Sequence, residues 1–97
     1  MDFSHCTGFE WDTGNLHKVQ KKIDLTIAEL ALSSSPYVAF DTFHSMNEKR
    51  WFLVNKVFEK YVFLIFTERN NTIRIISARF MHSKEVKKYE AWFTKEK

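Results

Sequence analysis

The chain predicts an α+β fold, a small antiparallel β-sheet flanked by N-terminal helices and a C-terminal helix. Three observations carry this. Apolar residues recur at spacings of three and four before Pro36, the period drops to two or to solid apolar runs after it, and a capped amphipathic segment closes the chain. Thr13-Gly14-Asn15 can cap a helix, and Leu16, Val19, Lys22 and Ile23 give it one face, so a helix is expected from Leu16 to about Lys22. Thr26 is a second candidate cap, opening the short apolar segment Ile27, Ala28, Leu30, Ala31 and Leu32. Ser33-Ser34-Ser35-Pro36 ends it, because the proline pushes Ser35 out of the helical region. Strands are then expected at Tyr37–Asp41, Arg50–Val57, Tyr61–Glu68 and Thr72–Ala78. Glu59-Lys60 and Asn70-Asn71 sit where tight turns would join the last three into a meander. Ser83 is expected to cap a final helix through about Phe93, with Glu85 in its first turn and Val86, Tyr89, Ala91 or Trp92, and Phe93 toward the sheet.

Ninety-seven residues leave too little chain for two cores, so residues 1–97 are expected to form one domain. A net charge of +3 with 44% apolar residues describes a basic, core-forming chain rather than a disordered one. The single cysteine, Cys6, cannot form an intrachain disulfide. The start Met1-Asp2-Phe3-Ser4-His5-Cys6 has neither the basic flank nor the apolar run of a secretory signal, and the longest apolar stretch, Val62 to Phe66, is far short of a membrane span. A cytoplasmic protein without a membrane association is expected.

The charge is segregated. Between Arg69 and Lys88 lie Arg69, Arg74, Arg79, Lys84, Lys87 and Lys88 against one acid, Glu85, a net +5 that leaves the remainder of the chain at −2. Lys18, Lys21 and Lys22 form a second cluster on the first helix. Arginines on a sheet facing lysines on a helix can grip the phosphates of a polyanion, although lysines on terminal helices more often form a solvated face. Arg74 interrupts the run Ile73, Ile75, Ile76, so it points into a groove or an edge, or pairs with Glu68, Glu59 or Asp41. Alternation puts Arg74 and Arg79 on opposite faces unless the strand ends or bulges near Ala78.

Other chemistries have little support. His5, His17, His44, His82 and Cys6 show no pair at metal-ligand spacing, so no metal site is expected. With two glycines there is no phosphate-cradling loop, which excludes nucleotide binding by a Walker or Rossmann device, and no cofactor is expected. His44 lies in a polar loop and reads as a surface histidine.

Gly8-Phe9-Glu10-Trp11-Asp12, Asn15 to Lys22, Phe66-Thr67-Glu68-Arg69, Ile73-Arg74-Ile75-Ile76-Ser77-Ala78-Arg79, Ser83-Lys84-Glu85 and Tyr89-Glu90, in that order, resemble the BrnT family of toxins from type II toxin–antitoxin pairs. The resemblance implies a RelE-like fold and a metal-independent ribonuclease that inhibits translation. It also implies a BrnA-like antitoxin, with which the toxin forms a hetero-oligomer and through which it reaches operator DNA. Family members commonly carry Lys-His-Gly after the first helix, where this chain has Lys22-Ile23-Asp24, so the imidazole is missing. Activity could then be weakened or lost, leaving a module that binds antitoxin or nucleic acid.

Metal-free RNA cleavage needs a base for the 2′-hydroxyl, cations around the phosphorus and an acid for the 5′-oxygen. On this resemblance Arg79 and Arg69 are expected to clamp the phosphate with Lys22 across the groove, and Glu68 or Lys22 to serve as base. Lys18, Lys21 and Arg74 would line the RNA path. Trp11 would stack on a base or join the core, and Trp51, Trp92 and Phe93 would face the antitoxin or pack inside.

Overall fold

In the computed structural model, which describes residues 6–34, 36–41 and 48–95, the chain after Pro36 forms a four-stranded antiparallel sheet with its strands in chain order: β1 (Tyr37–Phe40), β2 (Trp51–Val57), β3 (Lys60–Arg69) and β4 (Thr72–Phe80). Two helices precede it, α1 (Leu16–Gln20) and α2 (Leu25–Ser33), and two follow, α3 (Ser83–Lys88) and α4 (Glu90–Lys95). This is the expected α+β arrangement. His44 and its loop, like Ser35, lie outside the described residues.

One face of the sheet carries the core. Leu53, Val57, Val62, Leu64, Phe66, Ile75 and Ala78 meet Val19, Ile23, Ala28 and Ala31 from α1, α2 and the turn between them. Buried Asn55 ties α2 to β2 by donating to the carbonyls of Ala31 and Ser34, 2.9 and 3.0 Å away. On the other face Tyr37, Val54, Phe63 and Arg79 form one cross-strand row. The C-terminal helices reach this row at both ends: Glu85 bonds Arg79 of β4, and the rings of Tyr89 and Trp92 lie 5.5 and 6.0 Å from that of Tyr37 on β1.

Local chemistry moves several expected boundaries. Asp24, not Thr26, caps α2: its carboxylate accepts the Thr26 N–H at 2.8 Å, so the helix starts at Leu25. His82, not Ser83, precedes α3, and its N–H donates to the Glu85 carboxylate at 2.9 Å. The single final helix is broken at Tyr89, whose N–H is shared between the carbonyls of Glu85 and Val86. The break lets Tyr89 and Trp92 address the same ring. β4 runs two residues past Ala78 to Phe80.

Both hairpins are two-residue turns with both central residues at positive φ, the pattern of a type I′ turn. Asn70-Asn71 is the expected one (φ 50° and 61°). The other is Phe58-Glu59 (φ 50° and 65°), not Glu59-Lys60. Moving the turn by one residue shifts the register by two and keeps every side chain on its face, so alternation could not separate the two.

β4 bulges at Ile76: Ile65 pairs with Ser77 while the next residue, Phe66, pairs with Ile75. The extra residue resets the alternation, so Arg74, opposite Thr67, and Arg79, opposite Phe63, share a face. The N-terminal segment adds to the free edge of β4. Phe9 bridges Ile73 in parallel, with Thr7 N–H to Asn71 O, Ile73 N–H to Gly8 O and Glu10 N–H to Ile73 O at 2.8–2.9 Å.

Candidate nucleic-acid interface

Arg79 stands where β4 leaves the sheet, and three neighbours fix it. Its guanidinium lies 4.6 Å over the ring of its cross-strand partner Phe63. The carboxylate of Glu85 accepts from Nη1 and Nη2 at 2.6 and 2.7 Å, a two-pronged contact, and the same carboxylate holds the His82 N–H. The arginine's hydrogen bonds, together with that N–H, hold the Glu85 carboxyl down at about 2, and His82 is close enough to add to the effect. The Arg79 pKa is correspondingly raised, chiefly by the bond to Glu85. A guanidinium has five N–H donors; Glu85 engages one on each terminal nitrogen, and Nη1 also reaches the Phe80 carbonyl at 3.5 Å. The side chain is 32% exposed, so further donors can meet an anion.

Arg74 is spent differently. Nη1 and Nη2 grip the Asp12 carboxylate at 2.8 and 3.0 Å, Nη1 also reaches Glu10 at 3.0 Å, and the side chain is only 12% exposed. Hydrogen bonds from Arg74 lower the Asp12 pKa, and the bond to Asp12 raises that of Arg74. Gly14 makes the approach possible, since a Cβ there would stand 3.0 Å from both Arg74 Nη2 and Asp12 Oδ1. Buried Asn15 completes the joint, donating to Glu10 O and Ile75 O and accepting the Asp12 N–H. Of the two alternatives for Arg74, an RNA contact or an ion pair with Glu68, Glu59 or Asp41, the structure has an ion pair, but with Glu10 and Asp12, a staple onto the N-terminal segment.

The other site candidates are dispersed. Arg69 is held by Glu48 at 3.1–3.3 Å and lies 3.8 Å from Glu10. It is six residues along β3 from Phe63, the partner of Arg79, which is roughly 20 Å of strand. The two arginines do not form one clamp. Glu68 pairs with Ile73 at the same far end, and its charge, after burial, helps raise the pKa of the half-buried Cys6 thiol. Lys18 of α1, and Lys21 and Lys22 in the turn after it, are exposed on the helix side of the sheet, whereas Arg79 projects from the opposite face. Trp11 packs against the core and donates its indole N–H to Glu29 of α2 at 2.8 Å. Trp51 stacks on Phe66, and Trp92 packs on Tyr37; both are half-buried.

His82 is the residue that sequence reasoning passed over: its backbone N–H shares the Glu85 carboxylate with Arg79. The signal was available in the steps of three from Arg79 to His82 to Glu85, which a strand end followed by a helix start folds together. Among the described residues no group of three or more His, Cys, Asp or Glu could hold a metal ion.

The fold is a basic α+β domain whose sheet ends in an arginine braced by a helix-borne glutamate. The chain belongs to the BrnT family: the family model described as the ribonuclease toxin, BrnT, of type II toxin–antitoxin system matches residues 11–85. Comparison with curated proteins and with solved structures gave no match. The residues that carry the family resemblance do structural work here. Glu10 and Asp12 bind Arg74, Glu85 binds Arg79, and Tyr89 packs on Tyr37. At the positions where the resemblance implies His-Gly, Ile23 is a core residue at 3% exposure and Asp24 is the α2 cap at φ −63°, a position that demands no glycine.

Proposed function

We propose that this protein is the toxin of a type II toxin–antitoxin pair that cleaves RNA without a metal ion, inhibits translation, and is neutralised by a BrnA-like antitoxin that brings it to operator DNA. The observation that carries this reading is Arg79 at the sheet end, braced by Glu85, whose carboxylate also holds the His82 backbone N–H, in a chain that the family model matches. Arg79 takes the phosphodiester through its remaining donors as charge builds on the phosphorus. Glu85, bound at both prongs and held at about 2, is too weak a base to take a proton at neutral pH; it positions the arginine. Histidine is the side chain suited to proton transfer near neutrality. His82 takes the 2′-hydroxyl proton as the new O–P bond forms, and returns it to the 5′-oxygen as that P–O bond breaks, leaving a 2′,3′-cyclic phosphate.

The test is incubation of antitoxin-free protein with single-stranded RNA in EDTA, reading cleavage and the chemistry of the new ends. Cyclic phosphate ends that disappear with Arg79→Ala and with His82→Ala are the expected result. Silence from the wild type would favour a second reading, a catalytically lapsed module that binds antitoxin or nucleic acid. Burial of Ile23 at the family's histidine position is the observation in favour of that reading.

A further inference from the structure

The β2–β3 hairpin is built against local preference. Phe58 sits at φ 50°, where a residue with a bulky side chain is an outlier and where Asn, Asp or Gly is the usual choice. Its ring gains nothing from packing in return, being 71% exposed at the tip. Strain that the fold does not use points to function. Nearby, Phe80 at the end of β4 is 38% exposed, and Lys60 Nζ lies 5.0 Å over its ring. Lys60 is the first residue of β3 after the turn, and Phe80 pairs with Val62, two residues further, so both residues lie at the same end of the sheet.

Two exposed aromatic rings at one end of the sheet, with a cation over the second, are a surface for stacked bases carrying phosphates, whereas the cation is unfavourable for a purely apolar partner. Resting on the reading of this protein as an RNA-cleaving toxin, we infer that Phe58, Lys60 and Phe80 form a stacking platform for unpaired RNA bases beside Arg79. Phe80 follows Arg79 directly but faces the other side of the sheet, and Lys60 is three residues along β3 from Phe63, about 10 Å. The platform therefore holds nucleotides flanking the one at Arg79 and sets the path of the strand around the sheet end. Unpaired RNA is the ligand, because only splayed bases present their faces to aromatic rings.

The experiment is fluorescence anisotropy with a short 2′-O-methyl oligoribonucleotide of mixed sequence, which has no 2′-hydroxyl and cannot be cleaved, and with an abasic oligomer of the same length. Phe58→Ala and Phe80→Ala are each expected to weaken binding of the first by roughly tenfold and of the abasic oligomer hardly at all. Phe58→Trp is expected to bind as the wild type does. Lys60→Ala is expected to reduce the slope of log affinity against log salt by about one. Phe58 is too exposed for its loss to threaten folding, so unchanged RNA affinity in Phe58→Ala would overturn the platform. If the wild type still cleaves RNA in that case, the proposed function stands and the patch passes to a protein partner. A wild type that binds no oligomer would overturn both.

Discussion

The two ends of the sheet carry the same turn geometry with opposite side-chain logic. At the Asn70-Asn71 end the turn residues are those that best tolerate positive φ, and the cations are consumed: Arg74 by Glu10 and Asp12, Arg69 by Glu48. At the Phe58-Glu59 end the turn residues are poorly suited, two phenylalanines are exposed, and Arg79 keeps donors beyond its glutamate. The first end closes the fold, and the second is where the proposed RNA contacts lie. A basic segment is thus not a binding site by virtue of its charge; its partners decide which cations are structural.

The largest effect should come from the closed end. Arg74→Ala would strip Asp12 of its cation, leave Glu10 to Arg69 at 3.8 Å, and loosen the N-terminal segment from β4. The guanidinium is only 12% exposed although Asp12 is half-exposed, so its removal takes away three hydrogen bonds and should lower the melting temperature more than the other substitutions do. RNA affinity of the folded variant should match that of the wild type. A melt within a degree or two of wild type would break the comparison, because it would make Arg74 a spare cation like those on α1.

The difference between the ends also marks how far the sequence could be read. The sheet order, the Asn70-Asn71 turn and the α+β class follow from periodicity and turn chemistry acting over a few residues. The staple joins Arg74 to acids more than sixty positions away, and nothing local in Phe9-Glu10-Trp11-Asp12 shows that the segment lies along β4. The bulge at Ile76, which puts Arg74 and Arg79 on one face, is invisible in an Ile-Arg-Ile-Ile run. Arg69, Glu68 and Lys22 were grouped with Arg79 by resemblance, and strand length and sheet facing separate them. The spacing of three from Arg79 to His82 to Glu85 brings the His82 backbone N–H and Arg79 to one carboxylate only because a strand end and a helix start meet there.

A smaller effect, with a pH signature, is expected at the open end. Glu85→Gln removes the charge that grips Arg79 and should lower stability at neutral pH by about 1 kcal/mol, a modest figure because both side chains are partly solvated. Glu85 has its carboxyl pKa depressed, so the pair's contribution is complete above pH 4.5 and is lost as the pH falls toward about 2. Wild type and variant should therefore differ in melting temperature at pH 7 and converge across that window. A difference that persists unchanged at pH 2 would assign it to packing rather than to the ion pair.

Phe58→Asn sharpens the contrast by making the open end resemble the closed one. Asparagine accepts positive φ at less cost, so the variant should be more stable by roughly 0.5–1 kcal/mol, a rise of a few degrees in the melt. Its affinity for unpaired RNA should fall as in Phe58→Ala. Stability and binding moving in opposite directions is the mark of strain kept for use. Both falling together would mean that the ring is part of the fold.

The smallest effect is Gly14→Ala, which probes how tightly the closed end is assembled. The added methyl would stand 3.0 Å from Arg74 Nη2 and from Asp12 Oδ1, closer than carbon ordinarily approaches either. Both contacts are the ends of side chains, so the fork can shift by a few tenths of an ångström rather than break. The loss of hydrogen-bond geometry opposes the gain from stiffening the unfolded chain, and the net should be a destabilisation below about 1 kcal/mol. In an Arg74→Ala background the same substitution loses one of its two obstacles, Asp12 Oδ1 remaining, so its cost should shrink. That coupling, measured as a double-mutant cycle in thermal unfolding, separates a methyl that strains the staple from one that merely alters the turn.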